Sequence, residues 1–431
     1  MTTKQGWTTR KLFIVFMSVL ATILATLVVV NFTAGENTIE EKIPHLYGAA
    51  DPQFERSMGA LLGAQIVDGN KFDAMLNGDQ IFPAMLAAIR SARETINFET
   101  YIYWSEEIGK EFADALAERA RAGVKVHVLL DWVGSAKMEQ ARIDEMTRAG
   151  VEVRKYHPLR WYTLGRINNR THRKLLITDG RIGFTGGVGI AGQWTGNGED
   201  PDHWRDSHFR VQGPVVKQVQ AVFLENWTKT TGEVLHGDLY FPPLPSVGTG
   251  RAQMFSSSPT SGSEKMHLMY LMAITAAQKS IDLSASYFVP DDMTRHALID
   301  AMKRGVKLRI ITPGKYIDTE TVRGSSRGLW GGMLRAGAEI SEYQPTMYHC
   351  KVMIVDGLMV SVGSTNFDDR SFKLNDEANL NIYDADFARH QTAVFEDDLG
   401  RSKRITLQDW ENRPFKEKAL ERVLAALGPL L

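Results

Sequence analysis

The stretch THRKLLITDG at 171–180 and the stretch HCKVMIVDG at 349–357 obey one pattern: His, any residue, Lys, four residues, Asp, Gly. His172, Lys174 and Asp179 recur as His349, Lys351 and Asp356 at a constant offset of 177. The register continues without a gap, with Gly186 falling on Gly363 and Gly187 on Ser364. A chain that repeats an arrangement in register is expected to fold as two copies of one unit, each placing the motif at an equivalent point.

The surrounding patterns repeat in the same order. QIFPAMLAAIRSA and SEKMHLMYLMAITAAQKS read as helices, TINFETYIYW and IDLSASYFV as strands. GKEFADALAERARAG and MTRHALIDAMKRG read as helices closed by Gly123 and Gly305, followed by the strands VKVHVLLD and VKLRIITP. RAGVEVRKYHP and RAGAEISEYQP match again further on. Strands alternating with helices predict an α/β sandwich in each copy. The expected boundaries are a first unit over 69–240, a Pro- and Gly-rich linker over 241–250 and a second unit over 251–400. At 431 residues the chain is long enough for two such cores. The stretch 33–68 reads as an irregular linker. Residues 401–431 read as a helical tail whose stripe of Phe415, Leu420, Val423, Leu424 and Leu427 packs on the domain; a membrane-surface helix is the alternative.

The N-terminus departs from the globular pattern. Residues 12–32 carry no charge and are numerous enough to cross a hydrocarbon core as a helix. Lys4, Arg10 and Lys11 precede them, and Glu36, Glu40 and Glu41 follow. That asymmetry predicts a short cytoplasmic tail over 1–11, a single transmembrane helix over 12–32 and a main body exported to the outer side of the membrane. A cleaved signal peptide is the alternative, although NFTAGE offers no clean small-x-small site. The single cysteine, Cys350, excludes an internal disulfide. A formal net charge of −1 excludes an overall basic surface for tracking nucleic acid, and no nucleic-acid partner is expected.

RKLLIT and KVMIVD are apolar, β-rich runs and read as buried strands. On a strand, residues i and i+2 share a face, so His172 projects with Lys174 and His349 with Lys351, while Arg173 and Cys350 point the other way. An ammonium in such a place needs an anionic partner or ligand. Two imidazoles and two ammonium groups, brought together by pseudo-symmetry, suit a phosphate diester. The lysines neutralise phosphoryl oxygens, one histidine attacks phosphorus and the other protonates the leaving alkoxide. No metal or other cofactor is expected, because no HExxH, CxxC or acidic triplet at ligand spacing is present. The Asp-Gly pairs predict tight hairpin turns, which favours hydrogen bonding by Asp179 and Asp356 over a role as base. Asp206 and Glu377, each about thirty residues after its motif, are candidates to orient the imidazoles.

These stretches, with HWRDSHFRVQGPVV and VGSTNFDDRSFKLNDEANL, resemble the phospholipase D superfamily with its two HKD motifs, and within it the bacterial cardiolipin synthases. The resemblance covers roughly 70–400. It implies one site between the halves, with His172, Lys174 and Asp179 and their counterparts His349, Lys351 and Asp356 as the catalytic set. Asn366 and Ser364 then lie at the phosphate, with Asp206 and Glu377 in support. Where many relatives have Asn in the first half this chain has Gly189, so phosphate contacts are expected to be asymmetric. The activity implied is transfer of a phosphatidyl group between phosphatidylglycerol molecules through a phosphohistidine. A phospholipase D that uses water is the runner-up, and a nuclease of the superfamily comes third. The stretch HPLRWYTLGRINNR before the first motif mixes Trp161, Tyr162 and Leu164 with Arg160, Arg166 and Arg170, as an interfacial loop would; a basic surface loop is the equal alternative.

Overall fold

The structure is a computed structural model that describes residues 3–33, 39, 41–158, 169–258 and 264–427. The aromatic and basic residues from Arg160 to Arg166 lie outside the described residues.

The first half runs β1 (Val67–Leu76), α3 (Asn77–Ser91), β2 (Thr95–Thr100), α4 (Glu107–Arg121), β3 (Lys125–Asp131), α5 (Gln140–Arg148), β4 (Glu152–Tyr156), β5 (Leu175–Thr178), β6 (Ile182–Gly186), β7 (Ser207–Gln212) and α6 (Val216–Thr231). It is preceded by α1 (Thr3–Thr33) and α2 (Pro52–Leu62). The second half opens with β8 (Gly250–Ser257), α7 (Lys265–Ala276), β9 (Ser280–Ala285), β10 (Phe288–Val289), α8 (Asp292–Lys303), β11 (Lys307–Pro313), α9 (Glu320–Arg335) and β12 (Glu339–Tyr343). It continues through β13 (Lys351–Val355), β14 (Met359–Gly363), β15 (Phe367–Asp368), α10 (Asp369–Lys373), β16 (Glu377–Tyr383) and α11 (Ala385–Gly400). The chain closes with β17 (Ser402–Ile405), α12 (Leu407–Glu411) and α13 (Phe415–Ala426).

Fifteen strands form one mixed sheet in the order β17-β12-β11-β9-β13-β14-β16-β8-β1-β7-β6-β5-β2-β3-β4. From the central β1–β8 pair outward, each strand of one half meets its counterpart in the other: β7 and β16, β6 and β14, β5 and β13, β2 and β9, β3 and β11, β4 and β12. This is pseudo-twofold order. The halves are thus continuous through strand pairing, in addition to their covalent connection. The central strands are buried on both faces, as in all six residues of β2. Helices cover both faces, and the apolar clusters between helices and sheet form the core.

Two expectations need correction. The stretch before Asp68 is not wholly irregular: α2 buries Phe54, Met58 and Leu62 against α7 and the second-half core. Its signals were present in the sequence. Asp51 caps the Gln53 N–H, Pro52 sits in the first turn, and Gly63 ends the helix at φ 73°. The C-terminal stretch is not wholly helical either. β17 adds to the sheet edge beside β12 before α12 and α13 begin. α13 does pack on α9, yet Phe415, Leu420, Val423 and Leu427 of its stripe are exposed.

α1 contains a 20-residue stretch, Arg10–Val29, long and apolar enough to cross a membrane, and none of it is buried against the body. Its side chains have no protein core to enter, which suits a lipid environment.

Candidate active site

Both Asp-Gly pairs form the expected hairpins, β5–β6 and β13–β14. Asp179 (φ 52°) and Asp356 (φ 55°) sit at positive φ before Gly180 and Gly357, as such turns require. Their carboxylates are filled by backbone. Asp179 accepts from the N–H groups of Arg93, Glu94 and Thr95, and Asp356 from those of Gln278, Lys279 and Ser280. Neither lines the cleft described below. These aspartates fasten each hairpin to the neighbouring helix-to-strand turn, and they leave the set of residues that can touch substrate.

The motif histidines stand just ahead of their strands, in short extended segments that bridge to the other half. His172 N–H donates to Asp376 O (2.9 Å), and Asp376 N–H to Arg170 O (2.8 Å). Likewise His349 N–H donates to Arg205 O (2.8 Å), and Arg205 N–H to Met347 O (3.0 Å). Asp376 and Arg205 immediately precede the two candidate acids, so this pairing carries each acid to the histidine of the opposite half. His172 Nδ1 lies 2.9 and 3.1 Å from the Glu377 carboxylate oxygens, and His349 Nδ1 lies 2.7 Å from Asp206 Oδ2. An ionised carboxylate only accepts, so Nδ1 carries the hydrogen and Nε2 keeps its lone pair.

Each carboxylate is held by a second donor, and the two donors differ. Ser364 Oγ donates to Glu377 Oε2 at 2.5 Å. In the first half the equivalent position is Gly187, where a Cβ would collide with the Asp206 carboxylate, and Trp194 Nε1 donates to Asp206 Oδ2 instead (3.1 Å). Ser364 is fully buried and serves Glu377, which corrects its expected place at the phosphate. Asn366 does line the cleft, its Oδ1 accepting from Ser286 Oγ at 2.8 Å. Its first-half equivalent is Gly189, where a side chain would press on Ile102 and Trp194.

His172, Lys174, His349 and Asn366 line one cleft of about 630 Å³. Lys174 Nζ donates to His172 O (2.7 Å), and Lys351 Nζ donates to His349 O (2.8 Å) and sits 3.2 Å from both ring nitrogens of His349. Burial, then the like charge of Lys351, brings the Lys174 ammonium down to about 7. Burial lowers Lys351 too, against the pull of Asp206. Burial likewise holds the His172 imidazole at about 4, against Glu377 and helped by Lys174, and it lowers His349, helped by Lys351. For Glu377 and Asp206 burial acts upward, but the histidine each serves and the nearby lysine outweigh it, so both stay below the usual carboxylate range. Burial thus works against charge on both oriented imidazoles and on both ammonium groups. An anion between the lysines would favour their charged forms.

Aromatic rings form the walls, and the motif pattern gave no sign of them. Tyr101 meets His172 edge-on (ring centroids 5.3 Å apart), while Trp194 and Trp204 both pack on His349 (5.3 Å each). Beneath His349 the buried Arg205 forms a two-pronged pair with Asp398, at 2.9 Å for each contact. Among the described residues one group, His127, Glu152 and Glu233, gathers a ring nitrogen and two carboxylates within 4.8 Å. It lies outside the cleft.

The family described as "Cardiolipin synthase, PLD-like domain" matches this chain twice, over residues 85–227 and 270–399. The cardiolipin synthase of Geobacillus kaustophilus is 36% identical over 360 residues, covering 83% of this chain and 72% of its own length. A probable cardiolipin synthase of Bacillus subtilis is 33% identical over 386 residues, covering 89% and 77%. Among solved structures, phosphatidylserine synthase of Haemophilus influenzae superposes with a TM-score of 0.64 at 14% identity, over 88% of this chain and 98% of that one. That likeness speaks for the fold.

Proposed function

Since the chain belongs to the family of cardiolipin synthases with the phospholipase D-like domain, and is a phosphatidyltransferase of that type acting on phospholipids, we propose that it joins two phosphatidylglycerol molecules and releases glycerol, with His172, Lys174, His349 and Lys351 as the reacting set. The observation that carries this reading is the crossed pairing: each imidazole is oriented by the other half's carboxylate, at 2.9 Å for His172 and 2.7 Å for His349, in a single cleft.

The phosphodiester of the first lipid lies between Lys174 and Lys351, whose charges answer its non-bridging oxygens. One histidine attacks phosphorus through Nε2. A P–N bond forms, the P–O bond to glycerol breaks, and the second imidazole, which takes up a proton once the phosphate anion lies beside it, gives that proton to the departing oxygen. The Nδ1–H bond to Glu377 or Asp206 stabilises the positive charge that develops on each ring. A hydroxyl of the second lipid then attacks the phosphohistidine. The P–N bond breaks, and the hydroxyl proton passes to the second histidine, which returns to its starting charge.

Placement supports lipid over soluble substrates. α1 holds the body at a membrane, with its N-terminal side inside and the body on the outer side of the bacterial inner membrane; Arg10 and Lys11 at the N-terminal end of the apolar stretch are the warrant. Protease added to spheroplasts should cut the body, and protection until lysis would reverse the orientation. The function itself is tested by expressing the protein in cells that lack cardiolipin. Recovery of cardiolipin is expected, while accumulation of phosphatidic acid alone would point to hydrolysis.

A further inference from the structure

A transfer between two phosphatidylglycerols leaves a requirement that the histidine–lysine set does not meet. The acceptor lipid keeps its own phosphodiester throughout, and that second anion must lie near the site while its hydroxyl reacts. Two histidines and two lysines serve one phosphate. The same cleft holds further cations, and their positions are specific.

Arg170 and Arg370 both line the cleft with His172 and His349. They come from opposite halves. Arg170 lies two residues before His172, and its carbonyl accepts the Asp376 N–H that ties the halves together. Arg370 stands in the first turn of α10, where its carbonyl accepts from the Leu374 and Asn375 N–H groups just ahead of Glu377. Both guanidinium groups act on the ring of Tyr101, which packs against His172. They therefore lie within electrostatic reach of Tyr101 and of each other. Burial, then the like charge of Arg170, holds Arg370 below the usual arginine range. The carboxylates that act on this corner are Asp131 and Asp368. Among the described residues that line the cleft, Asp318 is the one carboxylate, and it accepts from Tyr287 OH.

We propose that Arg170 and Arg370 form a second phosphodiester subsite that binds the phosphate of the acceptor lipid and so positions its glycerol hydroxyl for attack on the phosphohistidine. The proposal rests on the reading above, in which phosphatidylglycerol is both donor and acceptor. The guanidinium fork matches two phosphate oxygens at once. A neutral alcohol or water has no charge for this subsite, so the pair favours transfer to an anionic lipid over hydrolysis. Arg170 and Arg370 are positioning residues here, since neither bonds to the phosphorus that is transferred.

The test compares two acceptors in one enzyme. Vesicles of phosphatidylglycerol report cardiolipin formation, which needs an anionic acceptor. Labelled free glycerol exchanged into the same vesicles reports the donor half of the reaction with a neutral acceptor. In Arg370→Gln, and separately in Arg170→Gln, the ratio of cardiolipin formation to glycerol exchange should fall about tenfold or more, the loss of one charge-assisted contact, with phosphatidic acid rising as water takes over. Arg370→Lys, which keeps charge but loses the fork, should fall between wild type and Arg370→Gln. Added sodium chloride should lower wild-type cardiolipin formation more than glycerol exchange, which tests the same point without a substitution. If both reactions fall together in every variant, or if the ratio does not move, the subsite is not there. Wild-type protein that exchanges glycerol but makes no cardiolipin would instead remove the two-lipid reading, and the acceptor subsite with it.

Discussion

Replacing Glu377 with Gln keeps the side-chain size and leaves an amide oxygen that can still accept from His172 Nδ1–H; what is lost is the charge. Glu377 contributes most when His172 becomes imidazolium, either after attack or as the proton donor. A carboxylate and an imidazolium about 4 Å apart attract by ~4 kcal/mol at an effective dielectric of ~20. Hydrogen bonds to charged groups measure ~1.5–3 kcal/mol by mutation. The contacts here are short, at 2.9 and 3.1 Å, and fully buried, so a loss of about 2–3 kcal/mol is expected. That is roughly a 30- to 150-fold drop in kcat for cardiolipin formation from phosphatidylglycerol vesicles. Ser364 Oγ, at 2.5 Å from Glu377, can keep the side chain in place, so the thermal midpoint should move little. The decisive assay is the ring nitrogen signals of the two histidines. Glu377→Gln should shift those of His172 and leave His349 alone; Asp206→Asn should do the reverse. If Glu377→Gln moved His349 instead, or kcat changed less than about threefold, the crossed pairing would not be the working arrangement.

His172→Ala and His349→Ala should each abolish turnover, because both imidazoles act on one phosphorus; near-normal activity in either would break the shared-site reading. Turnover should survive a strong metal chelator, and loss in EDTA restored by a divalent cation would oppose it. For the free enzyme, kcat/KM should rise as pH climbs through about 4, where His172 becomes neutral, and decline beyond about 7, where Lys174 loses the proton that answers phosphate; a profile flat to alkaline pH would contradict the second limb. Asp398→Ala leaves Arg205 buried without its two 2.9 Å contacts, so the unfolding free energy should fall by about 3–5 kcal/mol in denaturant titration.

Much of the site was legible in the sequence because its signals are local. Asp-Gly at 179–180 and 356–357 specifies a hairpin whatever lies elsewhere, and a histidine two residues from a lysine ahead of an apolar run shares its face. The caps of α2 were equally local, and Asp51, Pro52 and Gly63 could have marked that helix. Ser364 and the motif aspartates were harder to place. A hydroxyl or carboxylate beside a motif reads as a ligand until its partner is known, and the partners, Glu377 and backbone amides far away in sequence, belong to the tertiary structure.

By itself the sequence determined that there are two copies of one α/β unit and that each brings one imidazole and one ammonium. A constant offset of 177 fixes register within each copy, and strand and turn periodicity depend on near neighbours. Only the tertiary structure decided which acid serves which histidine. That choice follows from two bridges between the halves, Arg205 with Met347 and His349, and Asp376 with Arg170 and His172. They cross because β1 pairs with β8, setting the copies back to back about a pseudo-twofold and turning each acid-bearing segment toward the opposite motif. Pairing within either half would leave the same residue pattern in the sequence, since backbone hydrogen bonds between distant segments carry no side-chain signature.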